Sequence, residues 1–127
     1  ILSNVDRESF RASNRRLGVE FDAICTAEDV GSYKPDLRNF AYLLDTVRGL
    51  GAERSQLLHV AESLYHDHAP ANSVGITSVW IHRRHGQQGH GATRSPEQMP
   101  RFAARYTSLS ELVKAHQAVF CELSSIE

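Results

Sequence analysis

The sequence has few cysteines, no excess of either charge and no long hydrophobic run. Its two cysteines, Cys25 and Cys121, form no spaced pair, which excludes a disulfide scaffold and favours free thiols in a reducing compartment, the cytoplasm. Fourteen Lys and Arg residues stand against fifteen Asp and Glu residues, so the net charge of −1 gives no electrostatic basis for binding nucleic acid or an anionic membrane. Because no apolar stretch approaches the length of a transmembrane helix, we expect no membrane partner.

The remaining composition is that of one globular domain. Its 127 residues, 41% of them hydrophobic and 23% charged, suffice for a hydrophobic core without a disulfide or metal staple. The chain opens with Ile1-Leu2-Ser3-Asn4, in which two apolar residues run into a turn-forming pair. We interpret this opening as the end of a strand, and we expect the chain to be a fragment of a longer protein.

Short apolar runs alternate along the chain with amphipathic stretches. Strands are predicted over 21–26, 57–61, 76–81 and 102–107, and helices over 7–17, 35–50, 69–74 and 109–123. Asp6 and Gly18 are suited to begin and end the first helix, and Pro35 and Gly51 are suited to do so for the second. This alternation predicts an α/β fold with a mainly parallel sheet.

Two further segments lack the hydrophobic periodicity of a helix or a strand. Segment 27–33 is predicted to be a loop, and segment 82–100, rich in glycine, glutamine and proline, is predicted to be a long polar loop. In the last helix, Leu112, Val113, Val119 and Phe120 are predicted to face the core.

Polar side chains follow the predicted strands at three places. Ser3 and Asn4 end the first strand, Lys34 follows the second, and Glu62 and Asp67 follow the third. Taken singly, each has an ordinary interpretation as a turn residue, a surface lysine or a helix cap. The carboxyl ends of parallel strands, however, meet at the edge where ligands bind in open α/β sheets. A hydroxyl, an ammonium and two carboxylates there suit a small anionic substrate.

The order of these residues resembles the haloacid dehalogenase (HAD) superfamily, in particular the type II 2-haloacid dehalogenases. The resemblance is carried by Ser-Asn, then Tyr-Lys-Pro before a helix, then Leu-Leu-His-Val-Ala-Glu-Ser-Leu-Tyr-His-Asp-His at 57–68, and it continues through 61–83. It implies a Rossmann-like three-layer core with a mainly parallel sheet. Residues 1–127 would be the C-terminal part of that core, without its first strand and without the cap.

The resemblance also implies roles for the five polar residues. Ser3 would donate to the oxygens of the group under attack, and Asn4 would orient the substrate. Lys34 would offset the charge of a nucleophilic carboxylate and of the transition state. Glu62 and Asp67 would hold Mg²⁺ in the phosphatase branches. In the dehalogenase branch no metal is needed, and the second acid would organise the site and its water.

The first motif of the family, Asp-x-Asp, occurs nowhere in the chain, although its first aspartate is the nucleophile. We therefore expect this chain alone to be inactive and its partner to be the missing N-terminal core and cap segment. With that segment, the implied activity is hydrolysis of a small 2-haloacid through an aspartyl ester. Since the loss of the first strand would leave a strand edge unpaired, we also expect the chain to form homo-oligomers.

Three alternatives to a 2-haloacid hydrolase remain open on the sequence alone. They are a phosphate-ester hydrolase of the same superfamily, a non-catalytic module that binds a small anion or a partner chain, and a zinc-binding scaffold. The zinc hypothesis depends on the pairs His66-x-His68 and His82-x-x-His85. His59, on an apolar strand, is interpreted as a core histidine.

Overall fold

The structure is a computed structural model that describes residues 1–86 and 94–124. Its strands are β1 Leu2–Ser3, β2 Cys25–Thr26, β3 Leu58–Ala61, β4 Thr77–Ile81 and β5 Ala104–Tyr106. Its helices are α1 Arg7–Leu17, α2 Ala27–Val30, α3 Leu37–Gly49, α4 Ala69–Ser73 and α5 Leu109–Ser124. Every strand pair is parallel, which confirms the predicted α/β alternation. The centre of the predicted polar loop, 87–93, lies outside the described residues.

The strands form two sheets rather than one. β1 pairs with β2, with Leu2 opposite Cys25, and β4 lies between β3 and β5, with Val60 opposite Val79. Within the part of the chain that is described, β1 and β3 each pair on one side only. The predicted sheet is therefore present as two halves, each with an open edge.

The first helix has the bounds that its capping residues predict. The carboxylate of Asp6 accepts a hydrogen bond from the Ser9 amide at 2.7 Å, and Gly18 ends the helix in the left-handed conformation at φ 63°. Phe10 is the buried residue of α1, and its ring lies edge-on to that of Phe21 at 6.1 Å.

The strand predicted over 21–26 is wrong in length, because only Cys25–Thr26 pairs with β1. The loop predicted over 27–33 is also partly wrong, because it contains α2. Thr26 and Asp29 form a reciprocal capping box at the start of this short helix.

The second long helix begins two residues later than predicted. The Lys34–Pro35 peptide is cis, and Pro35 belongs to the turn before the helix. Asp36 caps α3 instead by accepting from the Arg38 amide at 2.9 Å. The end follows the prediction, since Gly51 has φ 85° just beyond the helix.

The core is built around Phe40 of α3, Ala71 of α4 and Ile76, which are almost completely buried. Leu2 of β1 and Leu57, which directly precedes β3, pack against this cluster. This core therefore contacts residues from both halves of the molecule.

The predicted inward face of the last helix is wrong for three of its four residues, whereas Leu112 is half-buried. Val113, Val119 and Phe120 are 50%, 55% and 60% exposed. Sequence periodicity indicates which face of a helix is apolar, but it does not indicate whether another element covers that face. No helix in the described ranges is long and apolar enough to cross a membrane.

Candidate active site

A lysine–carboxylate pair joins the carboxyl ends of the two half-sheets. Lys34 Nζ donates to Asp67 Oδ1 at 2.6 Å and to the main-chain oxygen of Leu2 at 3.1 Å. The side chains of Lys34 and Asp67 are only 10% and 9% exposed. The two predicted site residues are thus brought into direct contact although 33 positions separate them in the chain.

Asn4 holds the backbone of the lysine in place. Its Oδ1 accepts from the Lys34 amide at 2.7 Å, and its Nδ2 donates to the Lys34 carbonyl at 3.0 Å. Both polar atoms of the Asn4 side chain are therefore used to dock the turn that carries Lys34. Ser3, half-buried at the end of β1, lies opposite Thr26 in the pairing of β1 with β2. The substrate contacts of Ser3 and Asn4 stay predictions.

Asp67 is presented by a single π-helical turn, Leu64–His68, between β3 and α4. Such wide turns occur frequently at functional sites. The hydroxyl of Ser63 accepts from the His66 amide at 3.0 Å and so caps the start of the turn. At its end the completely buried His68 donates from Nε2 to the Ala61 carbonyl at 3.1 Å. Burial lowers the pKa of His68, so this imidazole is neutral at pH 7.

His59 is the site residue whose role the sequence did not reveal. Its Nε2 lies 3.1 Å from Asp67 Oδ1, the oxygen that Lys34 also contacts. The sequence predicts a core histidine, and the side chain is mostly buried, with its ring edge-on to Phe40 at 5.4 Å. Its partner, however, is the carboxylate of the site. The alternation of side chains along β3 places His59 and Ala61 on one face, and this pattern could have predicted that His59 lies near the site.

The environment keeps Asp67 ionised. Burial alone would raise the pKa of Asp67, but the hydrogen bond to His59 and the positive charge of Lys34 outweigh burial and leave that pKa below its usual value. The site therefore presents an ordered carboxylate–ammonium pair at neutral pH. Such a pair can offset negative charge that develops on a substrate or on a neighbouring nucleophile.

A cavity of about 590 Å³ runs between the two half-sheets and ends at this pair. Its apolar lining includes Ile1, Leu2, Leu57, Leu58, Val60 and Ile76, and its polar lining includes Lys34, His59, Glu62, Asp67 and Arg83. One wall comes from β1 and the opposite wall from β3, so the cavity lies between the two open strand edges.

Comparison with solved structures finds the same fold in HAD proteins. A HAD phosphatase from Thermococcus onnurineus is 32% identical over 85% of this chain, with a TM-score of 0.62. A 2-haloacid dehalogenase from Pseudomonas syringae is 28% identical over 83%, with a TM-score of 0.56. The chain belongs to the haloacid dehalogenase superfamily. The Bacillus subtilis protein YfnB, described as a HAD-hydrolase bound to magnesium, shares the fold at 20% identity over 91% of this chain, with a TM-score of 0.72.

The chain spans 45%, 42% and 47% of the lengths of these three HAD proteins. No protein-family model and no curated protein matches the chain. The neighbours confirm the predicted superfamily and the predicted Rossmann-like fold. They include both a phosphatase and a dehalogenase, so they do not distinguish the two branches.

Oxygen ligands of the kind that Mg²⁺ prefers are present at this candidate site, but the described residues do not form a complete set. Glu62 and Asp67 both line the cavity, and the main-chain oxygen of Glu62 accepts from Trp80 Nε1 at 2.9 Å. Among the described residues, no three His, Cys, Asp or Glu side chains are grouped to hold a metal ion. The two acids therefore fit a magnesium site only in part.

The contacts of the histidines do not support the zinc hypothesis. His66 pairs with Ser63, the ring of His82 stacks on Trp80 at 4.2 Å, and His68 is buried in its own hydrogen bonds. In the part of the chain that the structure describes, these histidines form no zinc ligand set. Cys25 is a buried free thiol.

Proposed function

We propose that this chain supplies the lysine and the acidic residues of a HAD hydrolase that acts on a small 2-haloacid. The observation that carries the proposal is the nearly buried Lys34–Asp67 pair, which lies where two parallel strands end and opens on a cavity. Membership of the superfamily and a 2-haloacid dehalogenase among the structural neighbours support it.

The reaction proceeds in two displacements. A carboxylate from a segment upstream of this chain attacks the carbon that bears the halogen, forms an ester and releases halide. Water then attacks the ester carbonyl and the ester C–O bond breaks, which releases the 2-hydroxyacid, regenerates the carboxylate and passes one proton to the solvent. Lys34 offsets the charges of the nucleophile and of the substrate carboxylate, Asp67 fixes Lys34 and orders the water, and Ser3 donates to the substrate.

The cavity between the half-sheets supports the proposal that the upstream segment adds a strand there. Within the described part of the chain, β1 and β3 have no strand partner on the sides that border the cavity, where the Leu2 carbonyl accepts from the Lys34 side chain instead. A strand between them would pair on both sides at the usual spacing of about 4.8 Å. If it ran parallel to its neighbours, its carboxyl end would lie beside Lys34, where a nucleophile is needed.

Hydrolysis of a phosphate ester is the second candidate, favoured by the 32% identity to a HAD phosphatase. In that case Glu62 and Asp67 would hold Mg²⁺ together with acids of the upstream segment. The cation would neutralise the charge of the phosphate oxygens.

The test is to read the coding sequence upstream of Ile1 and to purify the extended protein. We expect an Asp-x-Asp after an apolar strand, chloride release from 2-chloropropionate, and no effect of a chelator. An extended protein whose first aspartate of that motif is replaced by asparagine is the control and should be inactive.

Phosphate release from p-nitrophenyl phosphate that requires Mg²⁺ would favour the phosphatase instead. A start codon at the beginning of the chain, or an extended protein without either activity, would overturn both proposals and leave a non-catalytic binding module.

A further inference from the structure

We propose that His59 is a positioning residue, which fixes the carboxylate of Asp67 and through it the ammonium group of Lys34. Its contribution to turnover rests on the function proposed above, but its contribution to the geometry does not. His59 Nε2 and Lys34 Nζ approach the same oxygen, Asp67 Oδ1, at 3.1 and 2.6 Å. One carboxylate oxygen thus accepts two hydrogen bonds from opposite halves of the molecule, since His59 lies on β3 and Lys34 lies in the turn docked on β1.

The direction of the hydrogen bond between His59 and Asp67 follows from the chemistry of the carboxylate. An ionised carboxylate only accepts hydrogen bonds, so Nε2 of His59 carries the proton and donates. The imidazole is also held from behind, because its ring is edge-on to Phe40, which is completely buried. Its side chain is 11% exposed, so the donor has little freedom to turn away from Asp67.

This arrangement matters because Asp67 follows β3 on a wide turn rather than on a long helix. Without the donor, the carboxylate would be free to rotate about its terminal bond, and Lys34 would lose the fixed orientation of its charged partner. A positioned charge stabilises a transition state more than a mobile one does. Outer residues that orient site groups in this way typically contribute about 10–100-fold to activity or affinity.

The competing interpretation is that His59 only fills space against Phe40, and two substitutions separate the two roles. His59→Phe keeps an aromatic ring against Phe40 and removes the donor. His59→Gln removes the ring and keeps an N–H donor at about the reach of Nε2. The matched control is His116→Phe, the same chemical change at an exposed position of α5.

The geometric test is NMR spectroscopy of the lysine ammonium groups in the 127-residue chain, which has only two lysines, Lys34 and the exposed Lys114. A hydrogen-bonded, nearly buried ammonium exchanges slowly enough to be observed. We expect the Lys34 signal in the parent chain, in His59→Gln and in His116→Phe, and its loss in His59→Phe. A signal that survives in His59→Phe, or that is missing from the parent, would overturn the proposal.

The second readout is steady-state kinetics of the extended protein, with thermal melting to verify that each variant is folded. His59→Phe should lower kcat about 10–100-fold with little change in KM, and His59→Gln should recover most of that loss. Equal losses in both variants would show that packing alone matters. If the extended parent protein is inactive, the proposed function fails, and the ammonium signal still decides the role of His59.

Discussion

Replacing Lys34 with methionine removes the charge of the site while keeping much of the volume of the side chain. In a medium with an effective dielectric constant of about 20, unit charges at the 2.6 Å separation of Lys34 and Asp67 attract by about 6 kcal/mol. The cost of removing both groups from water offsets most of this attraction, so the intact pair adds little net stability. Removing the lysine alone leaves the buried carboxylate uncompensated.

Breaking a buried ion pair in this way costs about 3–5 kcal/mol. We expect Lys34→Met to lower the free energy of unfolding by about 3 kcal/mol, the low end, because His59 still donates to Asp67. For a chain of 127 residues this corresponds to a fall in Tm of about 12 °C. In the extended enzyme the same change should reduce turnover at least about a hundredfold.

The assay is a double-mutant cycle in urea with Lys34→Met, Asp67→Asn and the double variant. Since each single change strands one charge, the double variant should be more stable than the sum of the single effects predicts, by about 2 kcal/mol. Coupling below about 0.5 kcal/mol would refute the reasoning, because it would mean that Lys34 and Asp67 do not depend on each other.

Three further predictions concern the chain as it stands. Without an upstream nucleophile, it should release no chloride from 2-chloropropionate and no phosphate from an aryl phosphate above buffer, and measurable turnover would contradict the proposed mechanism. Because burial lowers the pKa of His68 below 6.5, the free energy of unfolding should be greatest above pH 6.5 and should fall as the pH drops through the pKa of the folded state. A series of Tm values against pH measures this dependence. The variant His68→Gln should show a flatter curve. Leu58 and Val60 of β3 are 52% and 36% exposed beside an unpaired edge, so the chain should self-associate in light scattering, and Leu58→Lys should reduce the association; a monomeric parent would contradict this.

Local signals in the sequence predicted local structure well. The pair Asp6 and Gly18 gave the bounds of α1, because a cap acts within one helical turn of its own position. The predicted start of α3 was wrong because two residues that can begin a helix, Pro35 and Asp36, are adjacent. In the structure Asp36 is the N-cap. The prediction that this face of α5 is buried was wrong for most of its residues, because burial depends on what packs against a helix.

The candidate site was predicted as a set of residues but not as a set of contacts. The order of strands and polar residues predicts that Lys34 and Asp67 lie at one edge of a parallel sheet, and in the structure their side chains are in contact. The hydrogen bonds between the Asn4 side chain and the Lys34 main chain could not be predicted, because 30 residues separate the two and each has other possible partners.

The sequence by itself determined the order of the strands and of every helix except α2, and the caps of the first helix, because these depend on neighbouring residues. Its motifs also carried the resemblance to the superfamily. Only the tertiary structure decided that the sheet is present in two halves with a cavity between them, and that His59 and Lys34 share one oxygen of Asp67. The physical reason is that hydrogen bonds reach about 3 Å. Which groups come within that reach is set by how distant segments pack around Phe40 and its neighbours.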